Sequence, residues 1–159
     1  MMRSGKRGAH IDASGIMLRY ATRSVLSGVD LSVAPGELVA LLGPSGCGKS
    51  SLLRIIAGLT RPSSGNVRID GEAVGGPRSD VALAFQDPCL LPWLTVERNV
   101  AFGLTFARQP HLARASRKAR VTAALQAVGL EHARSWLPAQ LSGGMAQRVA
   151  LARSLAREP

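Results

Sequence analysis

The chain has 159 residues, 46% of them hydrophobic, enough to build the core of one modest domain. Its net charge is +10 but only 4% of residues are aromatic, which favours solvated helix faces and a phosphate ligand over a base-stacking nucleic-acid surface. Cys47 and Cys89 stand far apart with no C-x-x-C or His cluster, so neither a disulfide framework nor a zinc site is indicated, and no apolar run reaches the about 18 residues of a membrane span.

Residues 1–14 carry Gly, Ser, Arg and Lys without a period and read as a disordered leader; no apolar stretch follows that would make a secretory signal. Residues 15–20 form a candidate strand, and 29–33 alternate apolar and polar as a half-exposed strand does. A turn at Ala34-Pro35-Gly36-Glu37 delivers the chain into Leu38-Val39-Ala40-Leu41-Leu42, short and apolar enough for a buried strand. Then comes Gly43-Pro44-Ser45-Gly46-Cys47-Gly48-Lys49-Ser50, followed by a helical repeat at Leu52, Ile55, Ile56 and Leu59 with Gly58 near its end. Asn66-Val67-Arg68-Ile69 is a further strand, Asp70-Gly71 a tight turn, and Val81-Ala82-Leu83-Ala84-Phe85 a short buried strand. Beyond Gln86 the character changes to helical. Thr95 can cap a helix with Glu97 in its first turn; Val121, Ala124, Leu125 and Val128 form a stripe closed by Gly129; Ser142 precedes a helix with Met145, Val149, Ala152 and Ala156 on one face. The expected architecture is α/β: a core with N-terminal antiparallel strands, divided into a core at 15–86 and a helical subdomain at 87–159.

Strand, glycine-rich turn and helix, with G-x-x-x-x-G-K-S across the junction, is the P-loop pattern in its required context. Glycines let successive backbone N–H groups turn inward on one anion, and the helix N-terminus adds further donors and a favourable dipole. Lys49 would bring a point charge to the β- and γ-phosphates, and the Ser50 hydroxyl would join the shell of a Mg²⁺ ion. Leu141-Ser142-Gly143-Gly144-Met145 places a hydroxyl and two glycines at another helix start, a second small anion-binding corner. One cradle needs no second corner, but a dimer with nucleotide sandwiched between two subunits does.

That pair of motifs resembles the ATP-binding subunits of ABC transporters over most of the chain, from about Gly15 to Pro159. Leu141 to Met145 is similar to the family's signature motif, with Met where Gln is usual. The resemblance implies a P-loop NTPase core of the ABC ATPase kind, ATP and Mg²⁺ as cofactors, and a head-to-tail homodimer in which Ser142, Gly143 and Gly144 act in trans. It further implies an adenine-stacking role for Tyr20 and a P-loop hydroxyl at Ser51, where many members have Thr. Gln86 would sense Mg²⁺ and contact the membrane subunit, which would be met near residues 86–93. The subunit would lie on the cytoplasmic face of the plasma membrane, work indirectly with a solute-binding protein, and bind no nucleic acid. The stretch 85–96, with Leu90-Leu91-Pro92-Trp93, and Asn99-Val100-Ala101-Phe102-Gly103-Leu104 are similar to importers for nitrate, taurine and aliphatic sulfonates.

Two other patterns fit poorly. Asp12-Ala13-Ser14-Gly15 has the D-x-x-G spacing of GTPases but precedes the P-loop, and no N-K-x-D follows. Val81 to Phe85 with Asp87 imitates a Mg²⁺-binding Walker B strand, but a Gln intervenes and no Glu follows. In the family, a run like Ala152 to Pro159 leads into that strand, with its Asp, its catalytic Glu and a later switch His. This chain stops at Pro159, and His10, His111 and His132 lie in other segments as surface residues. The chain therefore reads as an ABC ATPase fragment lacking the C-terminal part of its core, with no complete catalytic set beyond the supporting Lys49 and Gln86. A non-hydrolytic nucleotide-binding remnant and a basic nucleic-acid-binding module are the alternatives.

Overall fold

The structure is a computed structural model and describes residues 8–105 and 112–158. Arg3, Lys6, Arg7, Arg108 and His111 lie outside the described residues. Two compact units, Met1–Arg78 and Ser79–Pro159, each hold their own core, with Gln86 in the second.

The first unit is built on a four-stranded antiparallel sheet of order β2-β1-β3-β4. β1 spans Ile11–Tyr20 and β2 Arg23–Val33. β1 thus begins inside the stretch expected to be a leader, because Ile11 and Ala13 pair with Val33 and Leu31 on one side and with Ile69 and Val67 on the other. The β1–β2 ladder is irregular between Ala13 and Ile16, where Gly15 has φ +58 and its N–H donates to Asp30 Oδ1 at 2.7 Å. Asp12 pairs with Ser32 and Arg68 as an ordinary strand residue, which disposes of the D-x-x-G reading. β3, Ser64–Ile69, returns through Asp70-Gly71, both at positive φ as a two-residue hairpin turn requires, into β4, Glu72–Ala73. Helix α1, Lys49–Ile56, lays Leu52 and Ile55 on Ala13, Ile16, Leu18, Leu26 and Val67 to close this core.

Two expected strands do not form. Residues 38–42 and 81–85 are irregular, and Leu38 and Leu42 are 98% and 91% exposed. An apolar run becomes a strand only when a neighbouring backbone completes its ladder, and neither run joins one among the described residues.

The second unit is helical. α2, Val96–Phe102, starts at Thr95, whose Oγ1 accepts the N–H of Arg98 at 3.4 Å. α3 is Arg114–Ala127, followed by Gly129 at φ +66, and α4 is Gly143–Leu155. Short 3-10 turns at Glu131–Ala133 and Pro138–Gln140 join them. The core comprises Val96 and Val100 of α2, Val121 and Leu125 of α3, and Val149 and Ala152 of α4, with Leu130 between. The stripes expected from periodicity are the faces that are buried.

Candidate nucleotide-binding site

Residues 43–48 curl into the helix start. Gly43, Gly46 and Gly48 have positive φ, and the Cys47 N–H donates to the Pro44 carbonyl at 3.4 Å. Gly48 is held by two independent demands. Its φ is +97, and a Cβ there would stand 2.7 Å from Leu26 Cδ2 and 2.9 Å from the Val25 carbonyl oxygen. The turn therefore seats directly on β2, and only glycine fits. Lys49 Nζ donates to the carbonyls of Gly43 and Pro44, each at 2.8 Å, and lies 3.6 Å from Cys47 Sγ. The ammonium is thus folded over the turn rather than extended into solvent.

The N-terminus of α1 has no side-chain cap and no acidic residue in its first turn. An anion is what these bare donors and the dipole favour, so the loop fits a phosphate group. Ser50 is exposed and Ser51 half-buried in that first turn, while Pro44 and Ser45 are exposed in the loop. Among the described residues no group of His, Cys, Asp and Glu is placed to hold a metal ion. Within the loop, the Ser50 hydroxyl is a group that could join the shell of a Mg²⁺ ion beside oxygens brought by the phosphate. Tyr20 ends β1, 56% exposed, where it pairs with Arg23 across the hairpin. That hairpin is the one on whose Val25 and Leu26 Gly48 sits.

In the second unit, Ser142 caps α4, its Oγ accepting the N–H of Met145 at 3.2 Å. Gly143 and Gly144 follow, both exposed, neither at positive φ, and with open space where a Cβ would stand. Nothing within this unit requires glycine at either position. The backbone carbonyl of Gln86 accepts from Gln147 Nε2 of α4. Asp87 Oδ1 accepts the Cys89 N–H at 2.8 Å, a local turn bond that leaves no sign of a Walker B strand.

Residues 26–159 match the family model described as ABC transporter. The chain belongs to the ABC transporter family. It is 51% identical over 154 residues to the aliphatic sulfonates import ATP-binding protein SsuB 1 of Xanthomonas axonopodis pv. citri, covering 94% of this chain and 60% of that protein. It is 48% identical over 141 residues to the taurine import ATP-binding protein TauB of Pseudomonas aeruginosa, covering 89% of this chain and 52% of the other. Among solved structures it is similar to a dimeric ATP-binding cassette in a post-hydrolysis state bound to ADP and Pi. The TM-score there is 0.80 at 32% identity, with 94% of this chain and 70% of that one covered. The chain spans about half to 60% of the length of the curated relatives it matches.

Within this ABC chain three arginines, no more than surface charge by composition, hold distant backbone carbonyls. Arg148 Nη1 donates to the Val128 carbonyl at 3.0 Å, Arg153 to those of Pro88 and Cys89, and Arg157 Nη2 to that of Ser79 at 3.2 Å. Their partners lie 20 to 78 residues away, beyond the reach of any local pattern. His10 and His132 keep surface contacts, with Ser32 Oγ at 3.3 Å and the edge of Trp136 respectively.

Proposed function

We propose that the 43–50 loop binds the triphosphate of ATP with Mg²⁺, Lys49 reaching the β- and γ-phosphates, Ser50 the metal and Tyr20 the adenine. The observation that carries this is the Lys49 ammonium held over a curled turn beside an uncapped helix N-terminus. Glycines at 43, 46 and 48, with Pro44, Ser45, Cys47 and Ser51 between and after them, supply the backbone and flank of the cradle. Ser142, Gly143 and Gly144 meet nucleotide on a second, head-to-tail subunit. The support is that both glycines are bare of any local need, as a close approach from outside would explain.

In the longer assembly the chain serves as the ATPase subunit of an ABC importer, peripheral at the cytoplasmic face of the membrane. It meets permease subunits near residues 86–93, with Gln86 linking metal and permease, and a solute-binding protein acts with it indirectly. The names of its relatives favour an aliphatic sulfonate or taurine, with nitrate a more distant candidate. No helix among the described residues is long and apolar enough to cross a membrane. The 159 residues alone bind ATP without turning it over, because no Asp, Glu or His stands where the family's hydrolytic set is expected.

Equilibrium dialysis with ATP and Mg²⁺ tests the central claim. Wild type should bind, and Lys49→Ala should bind about tenfold more weakly or worse with unchanged far-UV circular dichroism. Equal affinity in the two proteins overturns it. Turnover by the purified chain that Lys49→Ala abolishes overturns the claim of binding without hydrolysis.

A further inference from the structure

The stretch between Gln86 and Thr95 has no regular secondary structure, and Cys89 within it is a non-glycine residue at φ +44. Such a segment is ordinarily loose, yet side chains from two helices satisfy its backbone. The Arg153 guanidinium forks onto two consecutive carbonyls, Nη2 to Pro88 at 2.7 Å and Nη1 to Cys89 at 3.0 Å. Gln147 Nε2 takes the Gln86 carbonyl. Asn99 of α2 is 0% exposed. Its Oδ1 accepts the Leu91 N–H at 2.8 Å, and its Nδ2 donates to Leu91 at 3.1 Å, Leu94 at 2.9 Å and Thr95 at 3.2 Å. A buried amide that engages both the N–H and the carbonyl of one loop residue specifies one conformation, since any other leaves it unpaired.

The fork holds the segment at Pro88 and Cys89, and the amide holds it at Leu91, Leu94 and Thr95, on both sides of a tip that stays outside. Trp93 is 70% exposed on that tip. A large aromatic held in solvent on a segment this heavily bonded loses little entropy when a partner covers it.

We propose that Arg153 and Asn99 are positioning residues that bind the 86–94 segment to α4 and α2 as one mechanical piece, so that a displacement of α4 carries Trp93 with it. α4 begins at Ser142, Gly143 and Gly144 and makes the loop contacts through Gln147 and Arg153 further along. The consequence for transport rests on the reading above: nucleotide engaging that corner would shift the surface offered to a permease.

The segment can be read in the protein itself. In a Trp136→Phe background Trp93 is the remaining tryptophan, and time-resolved fluorescence anisotropy reports its local freedom. Arg153→Gln and Asn99→Ala should each raise the sub-nanosecond amplitude about twofold or more while helix content stays unchanged. Arg148→Gln, which removes an α4 arginine bonded elsewhere, should leave it unmoved. Arg153→Lys should restore it only in part, because one ammonium does not reproduce the fork. Trp93 equally immobile in the loop variants, or loosened as much by Arg148→Gln, overturns the proposal.

If the variants do not fold, hydrogen exchange of the unaltered chain decides. The Leu91 amide should exchange within about tenfold of the Val149 amide in α4. Exchange at the rate of an unprotected loop overturns the proposal. If the segment proves locked but Trp93→Ala leaves permease binding unchanged in the reconstituted importer, the transport reading fails and the positioning role stands.

Discussion

Gly48 and Gly143 each open a helix next to a proposed phosphate site, and their surroundings make opposite predictions. At Gly48 a Cβ meets Leu26 Cδ2 at 2.7 Å and the Val25 carbonyl at 2.9 Å with the backbone at φ +97. Gly48→Ala should therefore cost about 1–3 kcal/mol or displace the turn, seen as a lower denaturation midpoint together with lost ATP binding. At Gly143 there is open space and no positive φ. Gly143→Ala should leave stability unchanged or raise it by up to about 1 kcal/mol, since alanine is the better helix former. On the in-trans reading the same variant should nonetheless lose the ATP-dependent shift to dimer in size-exclusion chromatography. A destabilised Gly143→Ala would show that the glycine serves the fold instead. The curled turn at 43–48 and the helix start behind it were legible because their demands are local: spacing, a lysine and a helix start within eight residues. The Arg153 fork was not, because its partners lie 64 and 65 residues away in sequence.

Among the elements, helices were legible and two of the strands were not, for a physical reason. A helix satisfies its backbone within itself and advertises its ends. Thr95, Ser142 and the Gly129 stop were readable as punctuation, and each stands at a helix boundary in the structure. Thr95→Ala should accordingly lower stability by about 1 kcal/mol, measured as a reduced urea midpoint at constant slope. No change would mean that the 3.4 Å bond to the Arg98 N–H carries nothing beyond what water supplies. A strand depends on a distant neighbour. The β1–β2 and β3–β4 hairpins supply one across a tight turn, whereas the equally apolar stretches 38–42 and 81–85 find none. Their composition announced burial, and composition cannot say what does the burying. The N-terminal residues show the converse: residues 11–14 are not strongly apolar, but β2 and β3 on either side recruit them into the sheet.

For the molecule as a whole, that unpaired run governs behaviour in solution. Leu38 is 98% exposed and Leu42 91%, beside backbone that joins no ladder. Full burial of a leucine side chain is worth about 1.5–3 kcal/mol, and an open backbone edge offers hydrogen bonds as well, so another copy of the chain is a ready cover. The net charge of +10 opposes association, but only at range and only in low salt. The 159-residue chain should therefore be marginally stable and self-associate, with light scattering rising at higher ionic strength. Leu38→Lys combined with Leu42→Lys should reduce scattering without lowering helix content, because neither side chain contributes to either core. If instead the unaltered chain is monomeric and unfolds in one cooperative transition well above room temperature, residues 38–42 must be covered in solution. The exposed run would then not be the source of any association.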